Sequence, residues 1–276
     1  MTLRTLFVLT AALSLPGSGV LFGQAAKPNV DHSLGYDNTP FLPGQPWRVH
    51  DISRPHPPKV TPGNVPGAPP SDAVVLFDGK DLSKWRMTAP KEKSPVSTWR
   101  VADGYFEVDP RGGDLVTRDK FGDCQLHVEW MIPAGETGKG QSAGNSGVML
   151  MSAYEIQVLE SFTNVTYADG QAGSIYGQWP PLVNASRKPG EWQSYDIFFE
   201  APVFAAGMVV KPAYVTVVHN GVLVQHHKEI LGHVVHAKVA VYSPHAPEEP
   251  LLLQNHHHKV RYRNIWIRRV KGYDGR

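Results

Sequence analysis

The feature that most restricts this chain is an alternation of apolar and polar residues with a period of two, in short runs cut by turn formers. Cys124, Leu126, Val128 and Trp130 alternate with Gln125, His127 and Glu129. Tyr154, Ile156 and Val158 alternate with Glu155 and Gln157, and Tyr195, Ile197 and Phe199 with Asp196 and Phe198. Successive side chains of a strand point to opposite faces, so each run predicts a strand with one packed face. Tyr214–His219 leads into Asn220-Gly221 and then Val222-Leu-Val-Gln-His226, the pattern of a two-residue hairpin. The 24 prolines and 26 glycines argue against a helical bundle and favour many short strands joined by turns. Ten to fourteen strands over about 200 residues predict an all-β, two-sheet antiparallel sandwich of jelly-roll type.

Three segments are expected. Residues 1–25 have the form of a secretory signal peptide: Arg4, the apolar run Leu6–Leu15, and Gly23-Gln24-Ala25 as a cleavage region. Pro16-Gly17-Ser18-Gly19 interrupts the run before it reaches spanning length, which predicts a periplasmic or extracellular protein with no membrane partner once the signal is removed. Residues 26–71 form a proline-rich arm in which no period survives. Its apolar stretch Phe41–Val49 suits an arm lying against the domain better than a bare spacer. Residues 72–272 form the β domain. Cys124 is the single cysteine, so neither an internal disulfide nor a cysteine zinc site can form. With 27 Lys+Arg against 25 Asp+Glu, charge gives no case for nucleic acid as a partner.

Candidate chemistry lies on the polar faces of the strands. Glu129 points away from the face of Leu126, Val128 and Trp130, and Glu155 and Gln157 share a face opposite Tyr154, Ile156 and Val158. If the two strands belong to one sheet, the carboxylates of Glu155 and Glu129 converge as an acid/base pair. The bland alternative is a solvated strand face. Turns at Gly144-Asn145-Ser146-Gly147 and Gly173-Ser-Ile-Tyr176-Gly177 bring small polar groups and amides to where a ligand can approach. Thirteen histidines leave a divalent metal open, but no metal-binding spacing occurs and nothing in the sequence requires a cofactor. Within His256-His-His258 only His256 and His258 can act on one side. No Gly-x-Ser-x-Gly elbow supports a serine hydrolase.

Several segments, in order, resemble the 3-keto-disaccharide hydrolase domain family. They are Leu76-Phe-Asp-Gly-Lys-Asp-Leu-Ser-Lys-Trp85, Trp99-Arg-Val-Ala-Asp-Gly104, Gly113-Asp-Leu-Val-Thr117, Phe121–Trp130, Asn145-Ser-Gly147, Tyr154–Glu160, Gly173–Tyr176, Pro189–Tyr195 and Val260–Ile267. The resemblance implies a concanavalin-A-like sandwich and cleavage of 3-keto-glycosides, with an oxidised oligosaccharide or glycoside as substrate. The stretch Gln254-Asn-His-His-His258 departs from the family's Gln-Asp-His-Gly, losing a carboxylate and a glycine at the site edge.

A ketone at C3 acidifies the C2 hydrogen, so the reaction needs a base, a donor for the enolate oxygen and an acid for the leaving oxygen. On this reading Glu155 is the base and Glu129 the acid or orienter. Asn145, Gln157, Gln254 and His256 bind hydroxyls or the carbonyl, Arg263 stabilises negative charge, and Tyr176 makes a stacking or hydroxyl contact. A non-catalytic carbohydrate-binding module is the alternative. A two-carboxylate retaining glycosidase is the weaker third, because Glu155-Ile-Gln-Val-Leu-Glu160 lacks a middle acid.

Overall fold

The computed structural model describes residues 32–88, 98–136 and 138–275. The expected signal segment, residues 1–25, lies outside them. Two compact units occur, Met1–His56 and Pro57–Arg276. In the first, the described part folds on itself through bridges Tyr36–Asp51 and Phe41–Arg48, with the Arg48 guanidinium 3.9 Å from the centre of the Phe41 ring. This local packing occupies the apolar stretch that the sequence assigned to an arm.

The second unit is all-β. Its strands are β1 (Val74–Phe77), β2 (Trp85–Met87), β3 (Arg100–Ala102), β4 (Tyr105–Glu107), β5 (Leu115–Phe121), β6 (Cys124–Met131), β7 (Ser146–Leu150) and β8 (Tyr154–Val158), followed by β9 (Gln193–Glu200), β10 (Val203–Ala205), β11 (Met208–Lys211), β12 (Ala213–His219), β13 (Val222–Ile230), β14 (Glu249–Leu253) and β15 (Arg261–Arg269). One sheet runs β13-β12-β9-β6-β15-β4-β3, with β1 also on β15; the other runs β2-β5-β14-β7-β8. The strands β10 and β11 form a separate ribbon, and every pairing is antiparallel. Among the described residues no helix is long and apolar enough to cross a membrane.

The alternation dictates the packing. Leu126, Val128 and Trp130 of the larger sheet and Tyr154, Ile156 and Val158 of the smaller belong to one buried core. Burying each such side chain stabilises the fold by about 1.5–3 kcal/mol. The Asn220-Gly221 hairpin forms as its sequence predicts, with φ of 52° and 81° and His219 paired to Val222.

This arrangement corrects one expectation. Glu129 lies on β6 in the larger sheet and Glu155 on β8 in the smaller. Because the inner faces of both strands meet in the core, the two carboxylates project to opposite sides of the sandwich. They cannot act as a pair.

The last third of the proline-rich segment, from Pro57, belongs to the sandwich unit and crosses the outer face of the larger sheet. The Gly67 carbonyl accepts hydrogen bonds from Asn264 Nδ2 at 2.9 Å and Trp266 Nε1 at 2.8 Å. Gly67 has φ of +80°, and a Cβ there would lie 3.2 Å from His127 Nε2. Glycine suits both the backbone conformation and the close approach.

Candidate active site

The site is built on the outer face of the smaller sheet. Glu155 and Gln157 are 4% and 1% exposed, so the polar face of β8 is as buried as its apolar one and is not a solvated strand face. Residues 173–176 extend the sheet: Gln157 N–H donates to Ser174 O at 3.1 Å, Tyr176 N–H donates to Glu155 O at 3.2 Å, and Ile175 bridges Ile156. That register makes Tyr176 the cross-strand neighbour of Glu155 on the same face. On the other side, Gly147 of β7 pairs with Gln157 and accepts the N–H of Gln254 at 2.9 Å.

Glu155 reaches across Gly147. A Cβ at that position would lie 2.2 Å from Glu155 Oε1, so the missing side chain is the space that the carboxyl occupies. Burial, reinforced by the negative charge of Asp114, pushes the Glu155 carboxyl up to about 8. No described side chain forms a hydrogen bond or ion pair with it. An unpaired carboxyl in a buried polar face, poised near neutral pH, is suited to proton transfer.

Asn145 and Gln157 anchor the base of this face. Asn145 Nδ2 donates to Gln141 O at 2.8 Å, and Gln157 Nε2 donates to Gln141 Oε1 at 2.8 Å. Gln141 Nε2 in turn donates to Gly170 O at 3.0 Å. The expectation for Gln157 is corrected: it is buried with both ends of its amide engaged by the protein, so it positions the face instead of binding a sugar hydroxyl, while Asn145 is buried with only its Nδ2 engaged. Asn145 Oδ1 and Ser174 Oγ are buried here without a hydrogen-bond partner.

The rim is aromatic and imidazole-bearing. Tyr176 OH lies 2.6 Å from Tyr167 OH and 3.1 Å from His236 Nδ1. Burial, the Tyr167 bond and the neighbouring Glu155 and Asp169 charges hold the Tyr176 phenol above its ordinary range, so it keeps its proton at neutral pH. His256 is held below the ordinary imidazole range by burial and by repulsion from His258, His257 and His236. It is thus electrostatically coupled to this rim, and it stacks with His258 at 6.3 Å.

Arg263 and Glu129 lie elsewhere. On the outer face of the larger sheet, Arg263 Nε donates to Glu129 Oε2 at 2.6 Å, and Asn264 Nδ2 donates to Glu129 Oε1 at 2.8 Å. His127 Nδ1 is 2.7 Å from Asp196 Oδ1, and its Nε2 is 3.7 Å from Glu129 Oε1. Burial alone would lower His127, but the Asp196 and Glu129 carboxylates overcome it and hold the imidazole at about 9. Burial likewise opposes ionisation of Glu129, yet His127, Asn264 and Arg263 hold it at about 2. These charges compensate one another beneath the Gly67 segment. The roles expected for Glu129 as acid or orienter and Arg263 as enolate stabiliser therefore fail on position.

The structure brings together Glu155, Gln157, Asn145, Tyr176, Gln254 and His256 from the sequence reading. It adds Gln141, Tyr167 and His236. Gln141 sits in a glycine-rich loop and His236 in an irregular segment between β13 and β14, where no periodicity marks a face. Among the described residues no three His, Cys, Asp or Glu side chains gather as a metal site.

Residues 72–268 match the 3-keto-alpha-glucoside-1,2-lyase-like domain family. The chain belongs to this family. A similar solved structure, a candidate glycosyl hydrolase of Parabacteroides distasonis, is 44% identical and superimposes with a TM-score of 0.75, covering 82% of this chain and 99% of that one. A second Parabacteroides distasonis structure, also a candidate glycosyl hydrolase, is 21% identical with a TM-score of 0.51 over 72% of this chain and 94% of that one; it shares the fold. The curated 3-keto-disaccharide hydrolase of Bacteroides thetaiotaomicron is 27% identical over 45% of this chain and 51% of its own length. The chain thus spans about half the length of that relative. The all-β sandwich described above is the fold that the chain shares with these solved structures.

Proposed function

We propose that this protein cleaves the glycosidic bond of 3-keto-glycosides across C1 and C2, with Glu155 as the base. The observation that carries the reading is the buried, unpaired Glu155 carboxyl lying over Gly147 and held at about 8. The family's 1,2-lyase-like description and the named activity of the Bacteroides relative support the substrate class. Residues 1–25 are read as an export signal, so the enzyme acts in the periplasm or outside the cell.

In this mechanism Glu155 takes the C2 proton, and the electrons of the C2–H bond form the enolate of the C3 ketone. Collapse of the enolate breaks the C1–O bond, and the departing oxygen takes a proton. Tyr176 holds a proton at the correct rim and is bridged to Tyr167 and to solvent-exposed His236, which suits it to that donation. Water then adds OH to C1 and H to C2, giving the free 3-keto sugar. Gln254 and His256 are the donors assigned to the enolate oxygen, taking the place of Arg263.

A base must be ionised, so kcat/KM for a 3-keto-glucoside is expected to rise about tenfold per pH unit below 8 and level off above it. A fall above pH 8 would make Glu155 the acid and overturn this assignment. Gly147→Ala tests the seat of the carboxyl. The added methyl must displace Glu155, and a shift of about 1 Å is expected to cost roughly 100-fold in turnover. Circular dichroism should remain that of the wild type.

A further inference from the structure

Beside the Glu155 face lies a cavity of about 540 Å³ that contains Tyr176 in its wall. Its other walls include Tyr167, Leu231, Ala237 and Val239. Val239 is 84% exposed, and Leu231 and Tyr167 are exposed as well, so apolar surface lies open around a concave site. Such surface is characteristic of a ligand site, and the volume falls within the usual range for one. Asp169, Gln178, His236 and Lys238 supply its polar groups.

The two halves of the region differ in chemistry. On the Glu155 side, Gln254 is tied to Gly147 through its backbone N–H and His256 is coupled electrostatically to His236, and these polar residues suit the hydroxyl-rich keto sugar. Beyond Tyr176 the open surface of the wall is mainly apolar, interrupted by Asp169, Gln178, His236 and Lys238. Tyr176, assigned above to protonate the leaving oxygen, stands at the boundary, where the C1–O bond must lie if that assignment holds. We propose that this cavity is the leaving-group subsite and that it is built for an aromatic or alkyl aglycone in preference to a second sugar. The inference rests on the proposed reaction and extends it to substrate class.

The test compares kcat/KM for 4-nitrophenyl 3-keto-glucoside and a 3-keto-disaccharide, using wild type, Val239→Asp and Leu231→Asn. Apolar contacts of this kind discriminate by about 10–200-fold. The aryl substrate should be favoured at least tenfold by the wild type, and each variant should reduce that preference by about tenfold. Equal rates for both substrates, or variants that leave the ratio unchanged, would overturn the subsite while leaving the reaction intact. If no keto substrate turns over, the reaction itself fails, and binding of unoxidised 4-nitrophenyl glucoside decides the cavity separately. Saturable binding that Val239→Asp weakens about tenfold supports an aryl site, and no binding removes it.

Discussion

Glu155→Gln is expected to lower kcat for a 3-keto-glucoside by about 100- to 10,000-fold, the range that a positioned general base contributes. The same substitution is expected to make the protein more stable at pH 8. The folded carboxyl is held at about 8 against an ordinary 4.5, so the folded state retains a proton that the unfolded chain has released. Stability therefore falls as pH rises from 4.5 to 8 and is flat above. Glutamine carries no charge to desolvate and removes that slope. Thermal unfolding of the variant and wild type should coincide near pH 4.5 and diverge by roughly 5 °C or more at pH 8, at about 2–4 °C per kcal/mol for a domain of this size. A loss of both activity and stability would instead mark Glu155 as a structural residue.

The second large effect is the reverse case. Glu129→Ala is expected to destabilise the fold by about 3 kcal/mol, the lower end for breaking a buried ion pair, and to leave kcat within a few-fold of wild type. The lower end applies because His127 keeps Asp196, and Arg263 is partly exposed and rests over the Trp192 ring at 4.1 Å. The pH window follows from the two partners. His127 is raised from 6.5 to about 9, so its contribution is complete below pH 6.5 and disappears as pH rises through 9. Glu129 is lowered from 4.5 to about 2, so its contribution is complete above pH 4.5 and disappears as pH falls through 2. The variant's loss should thus be largest between about pH 4.5 and 6.5, as read by urea unfolding across that range. A fall in kcat comparable to that of Glu155→Gln would restore Glu129 to the reaction.

These two glutamates show how far the sequence carries. Period-two alternation assigns each residue to a face of its strand, and the buried sets Leu126, Val128, Trp130 and Tyr154, Ile156, Val158 follow it. Alternation does not say which sheet a strand joins. In a sandwich, two polar faces can be on opposite outsides, as those of Glu129 and Glu155 are. Asn220-Gly221 fixes its own turn because its signal is local. Gly147 is visible as a glycine, but its use as a seat for Glu155 depends on β7 and β8 being paired in one particular register. His236 lies in an irregular segment and reaches Tyr176 across 60 residues of chain, a contact that only the tertiary fold creates. His256 and His258 lie on one side as their spacing suggests, but the stack is made across a bend in which His257 has φ of +62°, so it is the bend and not a strand period that brings the rings together.

The most direct test of the central claim is aglycone release by the purified protein from matched 3-keto-glucosides and their unoxidised parents. Release from the keto substrates alone, abolished in Glu155→Gln, is the predicted result, because only the ketone makes the C2 proton removable. Release from the parents at a comparable rate would contradict proton abstraction next to a ketone. Saturable sugar binding without release from either set would make the protein a carbohydrate-binding module.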